Sequence, residues 1–392
     1  MPAASSSSAK PTRARARVVV AMSGGVDSAV AAARLLDAGY DVIGVTLHLW
    51  DYPEAPDAKG RCCAPEDQYD ARRTADALGF PHYTFDRRAQ FERDVISPFV
   101  ESYAAGVTPS PCNACNRSVK IAELFRIADR LGATYLATGH YARIVRDGSG
   151  TARLARGVDL HKDQSYFLYH TPTSQLERLL FPLGESVKPD VRREAIERDL
   201  PGANKGESQE LCFVGSGEYA SFVEERAGRV RPGELIGPEG KSLGTHKGVH
   251  HFTVGQRKGL GVALGYPTFV THIDGESGAV HLGPESGLMD DMVDLLDVHL
   301  AEGVSLPLAA NLRIRYRHDG APAIVEQSPG GNVVARFDTP VRALTEGQVA
   351  VFYEGDSVLG GAVIGRRPKP GPAKTSLPLF SEAKARSSRV SS

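Results

Sequence analysis

Arg17-Val-Val-Val-Ala-Met-Ser-Gly-Gly-Val-Asp-Ser28 is a Val-rich apolar run that turns through two glycines into a helical pattern. The run, Arg17 to Met22, predicts a buried strand. Ser28 to Ala38, with Ala, Val and Leu at helical spacing and Gly39 behind it, predicts a helix. Glycines between the two tolerate positive φ and let backbone approach a ligand closely. Successive N–H groups then converge on one concavity, and the helix start adds positive potential. Ser23 and Ser28 bring hydroxyls. Asp27 would repel phosphate unless it holds a cation or orients the loop. The segment lacks the Gly-Lys-Ser/Thr of a P-loop and the Gly-x-Gly-x-x-Gly of a dinucleotide site. A plain tight turn would explain the glycines, but not these six residues, Ser23 to Ser28, in this order at a strand–helix junction.

Outward from this turn, strands and helices alternate. Asp41 to Leu49 predicts a strand, Glu66 to Leu78 a helix closed by Gly79, and His82 to Phe85 a strand. Arg117 to Leu131 predicts a helix closed by Gly132, ahead of a strand at Tyr135 to Thr138. Such alternation gives an α/β fold with a parallel sheet covered on both faces. Ligands on such sheets bind beyond the carboxyl ends of the strands, where both Ser23–Ser28 and Gly139-His140 fall. After about residue 220 glycines and prolines become frequent. Phe269 to Ile273 and Ala279 to Leu282 there predict a hairpin. From about residue 297 the pattern is all strand (Asn311 to Tyr316, Val333 to Phe337, Val349 to Tyr353), as in a small β-barrel. The expected organisation is a leader (1–16), an α/β nucleotide domain (17–220), a small central domain (221–296), a C-terminal β-barrel (297–366) and a tail (367–392).

The 392 residues favour two or three domains, and a net charge of −1 means that any nucleic-acid face must be local. No apolar run reaches the roughly 20 residues of a spanning helix, so no membrane partner is expected. The five cysteines, an odd and sparse set, argue for a reducing, cytoplasmic setting. The Ser-, Ala- and Arg-rich first 16 residues have the composition of a transit peptide or of a plain disordered leader.

Thr108-Pro-Ser-Pro-Cys-Asn-Ala-Cys-Asn-Arg117 leads into the predicted helix. Cys115 is expected just ahead of the helix start, where the positive end of the dipole lowers a thiol pKa, with Arg117 alongside. By itself a C-x-x-C pair fits half a zinc site, a redox pair or small buried side chains. A four-thiolate zinc site needs a second pair, and Cys62-Cys63 are adjacent and poorly spaced. Cys212, in Glu207-Ser-Gln-Glu-Leu-Cys-Phe-Val-Gly215, taken alone is a core cysteine more often than a reactive one.

The turn resembles the pyrophosphatase loop of the ATP-pyrophosphatase superfamily, whose members cleave ATP between the α and β phosphates and adenylate a substrate oxygen. Further segments narrow the choice: Thr108-Pro-x-Pro-x-x-x-Cys-Asn-Arg, Ala137-Thr-Gly-His-Tyr-Ala-Arg, Lys162-Asp-Gln-Ser-Tyr-Phe-Leu, Leu211-Cys-Phe-Val-Gly, Val254-Gly-Gln-Arg-Lys-Gly-Leu-Gly and Ile314-Arg-Tyr-Arg. With the turn and in this order, they resemble the tRNA-specific 2-thiouridylase family over about residues 17 to 365. The resemblance implies an ATP-pyrophosphatase domain, a small central domain and a C-terminal β-barrel. It implies replacement of the C2 oxygen of the wobble uridine by sulfur, with ATP (and Mg2+) priming the oxygen.

By the same resemblance, Cys212 carries a persulfide and Cys115 is its partner nucleophile. ATP contacts fall on Ala21, Met22, Ser23, Gly24, Gly25, Val26, Asp27, Ser28, Leu47 and Gly139. tRNA contacts fall on His140, Lys162, Asp163, Gln164, Arg315, Tyr316 and Gln348. Arg313, Arg315, Tyr316 and Arg317 together make a phosphate-and-stacking edge. The implied partners are tRNA and a sulfur-carrier or cysteine-desulfurase-type donor. Many relatives carry Asp where this chain has Cys112 and Asn where it has Ser110. That departure opens a second route, a 4Fe–4S cluster on Cys112, Cys115 and Cys212. A ligase or amidotransferase acting on a small molecule is the enzyme alternative, and a catalytically dead RNA binder the non-enzyme one. Neither needs Cys115 and Cys212.

Overall fold

The computed structural model describes residues 15–51, 65–203, 205, 211–214, 219–228 and 231–365. Most of the leader, Cys62 and Cys63, and the tail lie outside them. Val18, Val19 and Val20 of β1 (Arg17–Ala21) are fully buried. Each such side chain contributes about 1.5–3 kcal/mol. Alternate residues serve opposite cores: Val19 packs with Phe91, Val119 and Leu124, and Val18 and Val20 with Ala32, Leu35 and Ala75. β1 is flanked by β2 (Asp41–His48) and β4 (Tyr135–Ala137), with β3 (His82–Asp86) beyond β2. The hairpin β5 (Ala142–Arg146) and β6 (Ala152–Arg156) leaves this sheet, and β7 (Leu179–Leu180) completes it. All four pairings are parallel, in the order β3-β2-β1-β4-β7.

The helices around the sheet are α1 (Val26–Asp37), α2 (Pro65–Leu78), α3 (Arg88–Phe91) and α4 (Ser97–Ala104), the last two joined by a π-helical turn, Glu92–Ile96. A second continuous run comprises α5 (Pro111–Cys115), a π turn Asn116–Lys120 and α6 (Ile121–Arg130). The short α7 (Thr173–Leu176), α8 (Lys188–Glu197) and α9 (Tyr219–Ala227) follow. The helix expected from Arg117 therefore begins six residues earlier. Pro111 occupies the first helical position, where its missing N–H costs nothing.

The central domain is a four-stranded sheet of β8 (Gly233–Ile236), β9 (Ser242–His246), β10 (Phe269–Asp274) and β11 (Ala279–Gly283), ordered β10-β11-β8-β9. The barrel comprises β12 (Met289–Leu300), β13 (Leu308–Arg313), β14 (Ala321–Gln327), β15 (Val333–Arg342), β16 (Val349–Glu354) and β17 (Ser357–Ile364). The order β12-β15-β14-β13-β16-β17, with β12 pairing β17, closes it. Its first strand starts at Met289, ahead of residue 297. The strand expected over Asn311–Tyr316 ends at Arg313, because the chain turns at 314–317.

The domains are tightly wired. The β5–β6 hairpin of the α/β domain extends the barrel sheet beside β17. Tyr166 Oη donates to the Val349 carbonyl at 2.8 Å, and the Thr108 N–H donates to the Glu346 carbonyl at 3.1 Å. Among the described residues, no helix is long and apolar enough to cross a membrane.

Candidate active site

Gly24 has φ +73°, and a Cβ there would lie 2.1 Å from the Asp67 carbonyl oxygen. Only glycine lets the turn pass that close to α2. Gly139, at the end of β4, is needed for the same reason: a Cβ would lie 2.9 Å from the Asp27 carbonyl carbon and the Ser28 nitrogen. Ser28 Oγ donates to the Gly25 carbonyl at 2.9 Å and accepts from the Ser23 N–H at 3.2 Å. Ser28 is therefore spent on shaping the turn, while Ser23 is exposed at its rim. Ala21 and Met22 lead into the turn, and Val26 is buried in the first turn of α1.

Asp27 resolves the electrostatic puzzle of an acid in a phosphate turn. Lys188 Nζ donates to both carboxylate oxygens at 2.7 Å, and Tyr141 Oη donates to Oδ1 at 2.8 Å. The Lys188 side chain is only 9% exposed, so its charge neutralises Asp27 in place and fixes the loop. Lys205 pairs in the same way with Asp67 and Asp70 beside Gly24. Lys188, Tyr141 and Lys205 were not among the predicted site residues. Their partners are far away in sequence; Tyr141 falls within the segment Ala137-Thr-Gly-His-Tyr-Ala-Arg, but nothing local marks its hydroxyl, Lys188 or Lys205 as partners of these carboxylates.

Cys112 lies in the first turn of α5 and is exposed, whereas Cys115 lies at the last position of α5 and is 5% exposed. The thiol at the positive end of the helix is thus Cys112, not Cys115. Arg117 is ion-paired with Asp297 of β12 across the domain junction, so its charge ties the helix to the barrel instead of serving the thiol. Cys115 belongs to an apolar cluster that also contains Leu47, Phe91, Phe99, Phe213 and Val214, with Ala21, Leu211 and half-buried Cys212 packed against it. Phe213 anchors the Cys212 segment: its ring lies 5.7 Å from that of Phe91 and 5.1 Å from that of Phe99. Ala21 at the flank of the turn, Cys115 and Cys212 thus all border the same large apolar core of the α/β domain. Asn113 and Asn116, on the same helix, each bury a side-chain carbonyl with no hydrogen-bond partner.

The positions expected at tRNA divide into two groups. Arg315 and Arg317 are exposed, and the Tyr316 ring lies 4.7 Å from that of Phe167, tilted by 35°. Lys162 is half-buried, on the turn before Asp163. The second group faces inward. Asp163 is 1% exposed and accepts from the Ser165 N–H at 3.0 Å and from Arg313 at 2.8 Å. Arg313 also donates to the His318 and Tyr316 carbonyls. It is therefore a buried clasp between domains rather than part of the phosphate edge.

Gln164 Oε1 accepts from the Tyr141 N–H at 3.0 Å, which ties this turn to the Asp27 clamp. Gln348 Nε2 donates to the carbonyls of Thr108 and Pro109 at 3.1 and 3.0 Å, gripping the approach to Cys112. His140 Nδ1 lies 2.8 Å from Thr138 Oγ1. Enclosure of its ring, helped by the Lys120 ammonium, pushes its pKa down to about 3.

A parallel-sheet domain with this turn, a small central sheet domain and a closed barrel define a nucleotide-using HUP-domain enzyme with two β appendages. Family models agree domain by domain. One described as "tRNA methyl transferase HUP domain" matches residues 16–216, a "tRNA methyl transferase PRC-barrel domain" matches 220–284, and an "Aminomethyltransferase beta-barrel domain" matches 295–364. The chain is 60% identical over 355 residues to a protein of Sorangium cellulosum, covering 89% of this chain and 92% of that one. It is 45% identical to proteins of Heliobacterium modesticaldum (91% and 97% covered) and Geobacter metallireducens (90% and 97% covered). All three relatives are named tRNA-specific 2-thiouridylase MnmA. The chain belongs to the tRNA-specific 2-thiouridylase family, and with it to the tRNA sulfurtransferases.

Proposed function

We propose that this chain adenylates the C2 oxygen of the wobble uridine of tRNA with ATP and replaces that oxygen with sulfur. The observation that carries this reading is the apolar cluster shared by Ala21 and Leu47 on the nucleotide side and by Cys115 and Cys212 on the sulfur side. Activation and transfer then occur beside one core, and the primed base need not leave it. The turn's backbone N–H groups and the start of α1 receive the phosphates as pyrophosphate departs. Gly139 keeps β4 close against the turn. Asp27 and Asp67, beside the turn, are already paired with lysines. A Mg2+ arriving with ATP would therefore take its ligands from the phosphates and water.

Sulfur arrives at half-buried Cys212 as a persulfide from a carrier or desulfurase-type protein. The terminal sulfur attacks C2, the C–O bond breaks and AMP leaves with its electron pair. The Cys115 thiolate then attacks Cys212 Sγ. The S–S bond to the base-bound sulfur breaks, its electrons stay with the 2-thiouridine, and a Cys115–Cys212 disulfide remains. Two electrons from an external dithiol restore the thiols. The alternative route is a four-iron cluster that Cys112, Cys115 and Cys212 would hold, which would supply the sulfur in place of the persulfide.

On the tRNA side, Lys162, Arg315 and Arg317 meet phosphates and Tyr316 offers a stacking face. His140 stays neutral near the base. Asp163, Gln164 and Gln348 hold the surfaces that touch RNA. The test is ATP-dependent thiolation of tRNA by the purified chain and by Cys212→Ser. The variant loses thiolation while ATP and tRNA binding stay near wild type; thiolation at the wild-type rate would overturn the cysteine assignment.

A further inference from the structure

We infer that Glu224, His250 and His251 form a binding site for one zinc ion, which fastens α9 to the turn Val249–His251 within the central domain. Glu224 lies on α9, and the two histidines form most of the 3-10 turn Val249–His251. Both Nε2 atoms lie 3.1 Å from the same oxygen, Glu224 Oε1, and one ligand atom from each residue lies within 4.8 Å of the others. A tetrahedral zinc with bonds of about 2.0–2.1 Å needs neighbouring ligand atoms about 3.3 Å apart. The observed nitrogen–oxygen spacings are close to that before any side chain moves.

Two imidazoles and a carboxylate, with a fourth position open to water, are a ligand set zinc favours. The fold gives His250 little other reason to be where it is. Its side chain is 1% exposed, its hydrogen bond goes to a carboxylate that is 47% exposed, and its Nδ1 has no partner. Coordination at Nε2 would give the buried ring a strong bond, and the exposed Glu224 leaves a path for the ion. The site also bears on the Cys212 segment, because the ring of Phe222 in α9 lies 5.5 Å from that of Phe213.

The test uses the full chain, stripped of metal and with its thiols alkylated so that no cysteine ligates. Calorimetric titration with zinc alone gives one ion per chain. Glu224→Gln and His251→Ala, at accessible positions, each weaken binding at least about tenfold, the loss expected even of a partner one shell further out. Circular dichroism checks that both variants fold. Absence of saturable zinc binding in the alkylated wild-type chain would overturn the site, as would equal affinity in folded variants. Neither result bears on the thiolation assay, which reads the cysteines.

Discussion

The Ser23–Ser28 turn and the segments that carry Cys115 and Cys212 border one apolar core but are built by opposite means. The turn is a single stretch of chain whose shape follows from its own glycines and hydroxyls and is then locked from outside by Lys188 and the backbone of α2. The cysteine segments have no local frame. Cys115 rides on a helix interrupted by a π turn, and Cys212 is held by aromatic packing around Phe213. A rigid polar cradle suits a ligand whose charge must be met in a fixed geometry. Packing suits sulfurs that must approach and separate within a cycle. One part should be intolerant of a single added methyl group, and the other dependent on chemistry rather than shape.

The first consequence is the largest. Gly24→Ala drives a methyl group into the Asp67 carbonyl from a positive-φ position. ATP-dependent thiolation should fall roughly 100-fold, as for a misplacement of about 1 Å. Pyrophosphate release measured alongside thiolation locates the loss in activation, and a normal rate would show that the turn is soft. Lys188→Met should raise the KM for ATP roughly tenfold, about 1.4 kcal/mol, because Asp27 then faces the phosphates with a bare charge. Asp27→Asn in the same chain should recover part of that loss; a strictly additive double variant would deny that the two residues act as a pair.

The barrel sharpens the comparison over two residues. Arg313→Ala strands the buried Asp163 carboxylate and should cost about 3–5 kcal/mol of stability in denaturant titration. Arg315→Ala should change stability by less than about 0.5 kcal/mol, but should weaken tRNA binding and lower the salt slope by about one. Matching effects from the two variants would erase the distinction between clasp and contact.

The smallest effect concerns pH. His82, His140, His170, His246, His251, His299 and His318 all have pKa values lowered, chiefly by burial, with His140 at about 3 and His170 at about 4. The unfolded chain takes up protons below about pH 6.5 that the folded chain refuses. Stability is therefore full above that pH and falls as pH drops toward 5. Denaturant midpoints at pH 7.5 and 5 measure the loss, and His170→Gln should shrink it. Equal midpoints in the wild-type chain would contradict the assignment.

The turn, the parallel sheet and the barrel were legible in sequence because each rests on local pattern: valines at β1, glycines at the turn, and alternation after residue 297. The start of the Cys115 helix was misjudged, although its signal was present: Ser110-Pro111 fits an N-cap followed by a first-turn proline. Arg313 looked like its neighbours Arg315 and Arg317. Only the turn that follows β13 separates the one that points into the protein from the two that do not. Lys188 could not have been found, since nothing near it in sequence speaks of Asp27. The pairing of Cys115 with Cys212 came from resemblance alone, for packing between distant segments leaves no local trace.

The most direct measurement of the central claim is a single turnover with 35S-labelled persulfide on Cys212, ATP and tRNA, followed by acid quench and peptide mass spectrometry. The account predicts label in 2-thiouridine and one Cys115–Cys212 disulfide for each base thiolated, both dependent on ATP. Labelled 2-thiouridine with Cys115 and Cys212 still reduced, or release of free labelled 2-thiouridine by Cys115→Ser at the wild-type rate, would contradict it.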